Sequence, residues 1–200
     1  MYRYIVYHRD NLSDRGPMSE VRVYIASSLD GFIAAEDDGL DWLPNPTPDL
    51  KLPEGALGFD TFLAQIGAMV MGRRTYDVVR GMSPDWFYGD IPVLVPTHRP
   101  LQSDIPTVRG VSGSIDQILD EALRVAGGKD VYIDGGSTIR AALDAGRVDD
   151  LIVTIVPVIL GRGLSLFAGT AARHRMNIVS HVDYGAGMLQ VRMRPDRGSL

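Results

Sequence analysis

Hydrophobic residues along the chain form short continuous runs separated by amphipathic or polar stretches. Runs rich in β-branched and aromatic residues predict buried strands, because a strand covered on both faces carries no polar alternation. These strands are predicted at 21–26, 68–71, 92–95, 131–133 and 151–156. Two late stretches, 176–182 and 187–193, predict a strand pair joined by a turn at 183–186.

Helical spacing of apolar residues predicts four helices between these strands, at 57–65, 75–80, 115–126 and from Ser137 to a stop at Gly146. The third has the clearest apolar stripe, and Ser114 with Gln117 forms a candidate capping box at its start. The fourth follows the pair Gly135-Gly136, and Ser137 is its candidate N-cap.

The alternation of strands and helices predicts an α/β fold. We expect a mostly parallel central sheet with helices on both faces and an antiparallel pair at the C-terminal end. No repeat or linker divides the chain, so a single domain is predicted over 18–200. Residues 1–17 are predicted to be a poorly packed N-terminal extension. A long loop through 53 is expected to carry function or short elements of its own.

Composition excludes several classes of function. The chain has 200 residues, of which 45% are hydrophobic and 22% charged, which is typical of a folded soluble domain. A net charge of −5 argues against nucleic acid as the main partner, and the longest apolar run is too short to span a membrane. The absence of cysteine and four scattered histidines make a metal site unexpected, and a cytoplasmic location is predicted.

The segment around Gly135 and Gly136 carries the first functional signal. A strand, a glycine turn and a helix start hold phosphate groups well, because glycine allows close approach and free N–H groups attract an anion. A tight turn without a ligand is an equally acceptable interpretation of this segment alone.

Two further loops repeat this pattern. Gly72 is followed by Arg73, Arg74 and Thr75, which supply guanidinium groups and a hydroxyl suited to a phosphate. A third loop at 97–99 offers Thr97, His98 and Arg99. Surface charges and an ordinary polar turn are the alternatives. Because ligands of open α/β sheets bind beyond the carboxyl ends of strands, three such loops predict a dinucleotide with an additional 2′-phosphate.

Five ordered motifs resemble the dihydrofolate reductase-like superfamily. They are VYIASSLDGFIA, VMGRRTYDVV, VLVPTHRP, VYIDGGSTIRAAL and VDDLIVTIVPVILGRGLSLF, and they cover about 21–193. The most similar branch is that of the C-terminal reductase domain of the bacterial riboflavin biosynthesis deaminase-reductase. The resemblance implies a dihydrofolate reductase-like three-layer fold, NADPH as cofactor, hydride transfer to a small heterocyclic substrate, and a homodimer.

The resemblance also assigns roles to the three loops. It places Gly72, Arg73 and Thr75 near the adenosine 2′-phosphate, and Thr97, His98 and Arg99 on the other side of the adenosine. It places Gly135, Gly136, Ser137 and Thr138 beneath the pyrophosphate. The loop 28–33 is expected to close over the nicotinamide and the substrate.

Asp30, in that closing loop, is the candidate proton donor. A shielded carboxyl beside the nicotinamide is expected to have a raised pKa and to donate a proton or hydrogen-bond the substrate. An Asp-Gly turn without catalytic function is the alternative. Asp60 is a weaker candidate, and an exposed position on a helix is the better interpretation for it.

Three functional interpretations remain beside an NADPH-dependent reductase of pteridine- or pyrimidine-like substrates. The chain could be the 5-amino-6-(5-phosphoribosylamino)uracil reductase of riboflavin biosynthesis, or a dihydrofolate reductase. It could also be a non-catalytic nucleotide-binding homodimer, in which the apolar stretch 151–166 serves equally as a core strand or as part of a dimer face.

Overall fold

A computed structural model describes residues 19–44 and 52–198. The predicted extension at 1–17 and the predicted domain start at Met18 lie outside the described residues. No helix in the described ranges is long and apolar enough to cross a membrane.

An eight-stranded sheet forms the centre of the molecule. Its strands are β1 (Val21–Ser28), β3 (Ile66–Met71), β4 (Val93–Pro96), β5 (Val108–Val111), β6 (Asp130–Asp134), β7 (Asp150–Val156), β9 (Met176–Gly185) and β10 (Met188–Pro195). They lie in the order β5-β4-β3-β6-β1-β7-β10-β9, and all neighbours are parallel except that β10 runs antiparallel to both β7 and β9. A separate pair, β2 (Phe32–Ala34) and β8 (Leu164–Ser165), lies beside the sheet.

Four helices cover the two faces of the sheet. They are α1 (Phe59–Leu63), α2 (Arg73–Met82), α3 (Ile115–Val125) and α4 (Gly136–Asp144). One hydrophobic core includes Leu119 and Ile139 from α3 and α4, and a second includes Phe62 and Tyr76 from α1 and α2. The three layers and the antiparallel C-terminal hairpin confirm the predicted dihydrofolate reductase-like fold class.

Several element boundaries differ from the sequence predictions. The helix predicted at 57–65 is shorter because Gly58 is its N-cap and Ala64 its C-cap. The helix α2 starts two residues earlier than predicted, since Gly72 is its N-cap. The strands β2, β5 and β8 were not predicted, because each is at most four residues long and β5 buries only its first and last residues.

The apolar stretch at 151–166 contributes mainly to the core. Its first part is β7, which lies between β1 and β10, and Leu151 and Ile152 are each 1% exposed. The core-strand interpretation is therefore confirmed for this part. The homodimer implied by the resemblance stays a prediction.

A buried ion network joins four neighbouring strands at the sheet end opposite the glycine turns. The Asp150 carboxylate, fully buried, accepts from Arg22 Nε at 3.0 Å and from Arg192 Nε at 2.8 Å. Arg22 also donates to Asp130 at 3.1 Å and to Gln65 at 2.6 Å. The two guanidinium groups and their carboxylates thus hold β1, β6, β7 and β10 in register.

Candidate functional site

A cavity of about 670 Å³ opens at the carboxyl ends of β1, β3 and β6. The helices α2 and α4 form two of its walls, and the loop 35–43 and the β2–β8 pair form the others. This is the sheet edge at which open α/β folds bind ligands. The volume lies within the range of small-molecule and cofactor sites.

The N-termini of α2 and α4 meet at one point on the cavity wall. The Gly72 N–H donates to the Asp134 carbonyl at 2.9 Å. Gly135 has a φ of +94°, and a Cβ at this position would lie 2.5 Å from Thr75 Oγ1. A Cβ at Gly72 would lie 3.0 Å from Thr138 Oγ1. Glycine at both positions therefore lets two helix starts approach closely.

Neither of these helix starts is closed by a capping side chain. Gly72 and Gly135 are the N-caps, and no side-chain hydrogen bond satisfies the first turn of α2 or α4. The first N–H groups of a helix have no intrahelical acceptor, and the helix dipole adds a partial positive charge. Two such termini side by side in a cavity form a site for an anion with two charged groups.

Ser137 is not the N-cap of α4. The left-handed backbone at Gly135 turns the chain into the helix two residues earlier, so Gly136 is its first residue and Ser137 lies in its first turn. Ser137 is exposed and lines the cavity together with Gly135 and Gly136, while Thr138 is buried behind them. The predicted glycine turn therefore lies on the cavity wall, but the N-cap of α4 is Gly135 and not Ser137.

Alanine at position 135 should lower the free energy of unfolding, because a residue with a Cβ pays about 1–3 kcal/mol for a strained backbone and here also meets Thr75. Denaturant titration of both proteins measures the loss. Gly128→Ala is the matched control, since Gly128 has a φ of +92° with nothing within 4 Å of its Cβ position. A loss no larger than that of the control would contradict the close packing at Gly135.

The two arginines of the Gly72 loop point to different surroundings. Arg74 lines the cavity, and its Nε donates to Asp38 Oδ1 at 2.6 Å, which ties α2 to the covering loop. Arg73 does not line the cavity. Its Nε donates to both oxygens of Asp77 at 3.0 Å, and its buried Nη1 has no partner among the described residues. That nitrogen is buried, and its missing acceptor is an exception among buried polar groups.

The third predicted loop lies outside the cavity but at the same sheet edge. The Thr97 N–H donates to Val111 at 2.9 Å, and the Thr97 hydroxyl donates to the Arg99 carbonyl at 3.0 Å, closing a turn that also holds His98. Because β4 is the neighbour of β3, this turn flanks the start of α2. The structure does not bring Thr97, His98 or Arg99 to the cavity wall formed by Gly72 and Gly135.

Asp30 holds a loop together and does not line the cavity. Its carboxylate accepts from Ser28 Oγ at 2.7 Å, from the Gly161 N–H at 2.7 Å and from the Leu160 N–H at 3.1 Å. The Ser28 hydroxyl and these N–H groups stabilise the charged form and lower the pKa of Asp30. The expectation of a raised pKa for Asp30 is therefore wrong, because three hydrogen-bond donors stabilise its exposed carboxylate in the charged form.

Asp134 has the properties that the sequence assigned to Asp30. It is the last residue of β6, it lines the cavity, and it is half-buried. Burial disfavours its charge and raises the pKa of Asp134 to about 6, although the Gly135 N–H, 2.7 Å from Oδ1, opposes this shift. This carboxyl, which directly precedes the glycine turn, was not predicted as a site residue. Its position at the end of a central parallel strand is the feature of the sequence that could have identified it.

The part of the cavity farther from the glycine turns is apolar. Val79 and Met82 lie two to three turns along α2 from Gly72, or about 10–15 Å at 1.5 Å per residue. The Tyr24 and Phe59 rings, with centroids 5.4 Å apart, form the facing wall. Such walls exclude water and suit a planar ring system. Within the described residues, no group of three or more histidine and acidic side chains could hold a metal ion.

Comparisons with known proteins agree with this geometry. A family model described as the RibD C-terminal domain matches residues 19–190. The uncharacterized protein YwjB of Bacillus subtilis (strain 168) is 32% identical over 146 residues, which are 72% of this chain and 80% of YwjB.

Solved structures show the same fold. The crystal structure of a putative riboflavin biosynthesis protein from Shewanella sp. PV-4 is similar with a TM-score of 0.78 and 30% identity, covering 89% of this chain and 99% of that one. Dihydrofolate reductase from Enterococcus faecalis, in complex with NADP(H), has a TM-score of 0.61 at 16% identity. That match covers 90% of this chain and 98% of the reductase.

Proposed function

Since the chain belongs to the family of the RibD C-terminal domain, we propose that it is an NADPH-dependent reductase of a small pteridine- or pyrimidine-like heterocycle. The observation that carries this proposal is the pair of uncapped glycine N-termini of α2 and α4, which meet on the wall of the cavity. A dinucleotide has the paired phosphates that such termini favour.

The residues present fit NADPH at three places. Gly135, Gly136 and Ser137 would hold the pyrophosphate together with Gly72 and Thr75, because all five line the cavity at the two free helix starts. Thr138, buried behind them, would support the turn. The Arg73 guanidinium, whose side chain is 30% exposed, would bind the 2′-phosphate, and the turn of Thr97, His98 and Arg99 would flank the adenosine. Arg74 would bind a phosphate in place of Asp38.

The bound nicotinamide supplies the hydride, and the protein supplies a proton and a dry cavity. Asp134 is proposed as the proton donor. Its Oδ1 accepts the Gly135 N–H, and we assign the transferable proton to Oδ2. With a pKa of about 6, a useful fraction of this carboxyl stays protonated near neutral pH. The apolar wall of Tyr24, Phe59 and Val79 would hold the flat ring of the substrate.

Isothermal titration with NADPH and NADH tests the proposal directly. We expect both to bind, and NADPH to bind more tightly. Absence of binding by either nucleotide at millimolar concentration would contradict it. Oxidation of NADPH is then followed with two candidate substrates, 5-amino-6-(5-phosphoribosylamino)uracil and 7,8-dihydrofolate, to separate a riboflavin-pathway reductase from a dihydrofolate reductase.

Replacing Arg73 with alanine should weaken NADPH binding by about 1.5–3 kcal/mol, the usual size of a charge-assisted hydrogen bond. NADH affinity should stay the same, because NADH has no 2′-phosphate. Calorimetry on both nucleotides measures the difference. Arg124→Ala, on the exposed side of α3, is the matched control and should change neither affinity. Equal losses for NADPH and NADH in Arg73→Ala would argue against the 2′-phosphate assignment.

A further inference from the structure

Arg140 reaches from α4 back towards the start of its own helix. It lies one turn after Gly136, and helical side chains point towards the N-terminus. Its Nη1 donates to the Ser165 carbonyl at 2.7 Å and to the Leu166 carbonyl at 3.3 Å. A Cβ at Gly136 would lie 2.9 Å from the same nitrogen. The guanidinium is therefore held beside the free N–H groups of α4, where it lines the cavity.

The Arg140 charge has no counter-ion among the described residues. No carboxylate oxygen of the described ranges forms a salt bridge with it within 4.0 Å, whereas Arg74, the other arginine of the cavity, pairs with Asp38. Its hydrogen bonds use only Nη1, so Nε and Nη2 have no protein acceptor there. A guanidinium without a counter-ion in a cavity wall favours the binding of an anion.

The remaining donors of Arg140 have the geometry for phosphate. Nε and Nη2 form the edge of the guanidinium that binds two anionic oxygens side by side. Because the carbonyls of Ser165 and Leu166 fix Nη1, this edge is oriented before any ligand arrives, which reduces the entropy lost on binding. Arg140 was not singled out in the sequence, since a polar residue one turn into a helix is usually solvated.

We propose that Arg140 binds a phosphate group of the ligand in this cavity, acting with the N–H groups at the start of α4. The inference rests on the proposed function, and the diphosphate of the nicotinamide cofactor is the ligand group that the position beside Gly136 favours. A phosphate carried by the substrate has the same chemistry. The nucleotides and the phosphorylated substrate therefore form separate arms of the test.

Arg140→Gln and Arg140→Lys are compared with wild type by calorimetry with NADPH, NADH, inorganic pyrophosphate and 5-amino-6-(5-phosphoribosylamino)uracil. For the glutamine variant we expect Kd for NADPH and NADH to rise by the same factor, about 10- to 100-fold. Pyrophosphate binding should be lost. Lysine keeps the positive charge but lacks the planar guanidinium with its paired donors. The Kd values of Arg140→Lys should therefore lie between those of wild type and Arg140→Gln. Arg73→Ala differs from this pattern, since it affects NADPH alone.

The outcomes separate the inference from the proposed function. Equal losses for both nucleotides support the diphosphate of the cofactor. A loss confined to 5-amino-6-(5-phosphoribosylamino)uracil supports a phosphate on the substrate. Unchanged affinity for every phosphate ligand in a glutamine variant that melts at the wild-type temperature overturns the inference. If wild type binds neither nucleotide, the proposed function fails, and pyrophosphate binding that depends on Arg140 still decides the inference.

Discussion

Replacing Asp134 with asparagine should slow NADPH oxidation by about 10²- to 10⁴-fold, the usual contribution of a general acid. Asparagine keeps the shape of the side chain and can still accept the Gly135 N–H, which is 2.7 Å from Oδ1. It has no carboxyl proton to donate to the substrate. Single-turnover oxidation of NADPH, with whichever of the two candidate substrates is reduced, measures the effect. The affinity for NADPH should change little.

The pH dependence of turnover makes this prediction specific. Because the acid must be protonated, wild-type kcat/KM should fall as the pH rises above about 6, the pKa of Asp134. The asparagine variant should lose this dependence. Asp30→Asn is the matched control, since the Asp30 carboxylate has a lowered pKa and lies outside the cavity wall. If Asp30→Asn removes the pH dependence and Asp134→Asn keeps it, the proton donor is Asp30.

A measurement without substrate checks the cause of the raised pKa. The folded state holds the Asp134 proton up to about pH 6, whereas the unfolded chain releases it near pH 4, the ordinary pKa of aspartate. The stability that this proton contributes is present below pH 4 and is lost as the pH rises to 6, by up to about 3 kcal/mol. Asp134→Asn should therefore gain stability over wild type across this interval. If the difference in the free energy of unfolding between Asp134→Asn and wild type stays constant from pH 4 to 7, burial does not raise the pKa of Asp134.

Replacing Asp150 with alanine should lower the free energy of unfolding by about 3–5 kcal/mol, the usual loss when one partner of a buried ion pair is removed. The carboxylate is fully buried between Arg22 and Arg192, with contacts of 3.0 Å and 2.8 Å. Without it, two guanidinium groups face each other at the ends of β1 and β10. Denaturant titration at neutral pH measures the loss.

Asp104→Ala is the matched control for the buried network. Asp104 also pairs with an arginine, Arg80, at 3.2 Å, but its side chain is 77% exposed. Water screens such a pair, so its removal should cost less than about 1 kcal/mol. If Asp150→Ala and Asp104→Ala lower the free energy of unfolding by similar amounts, burial does not make the ion pairs of Asp150 more important for stability than an exposed pair.

Much of the fold could be predicted because its signals are local. The continuous apolar runs of β3 and β7 identify strands covered on both faces, and the capping box of Ser114 and Gln117 forms as predicted. The glycine turns could also be found, since only glycine readily takes the backbone of position 135. The short strands β2 and β8 could not, because two or three residues carry no periodic pattern.

The α/β architecture, the family resemblance and the glycine turn can be read from the chain alone, since each depends on residues close together in sequence. Which carboxyl faces the cavity, and which arginine lacks a counter-ion, depends on how distant segments pack. A pKa depends on burial and neighbouring donors, and for Asp30 the donors at 160 and 161 are about 130 residues away in sequence. Asp134 and Arg140 become candidates only once α2, α4 and β8 are packed around one cavity.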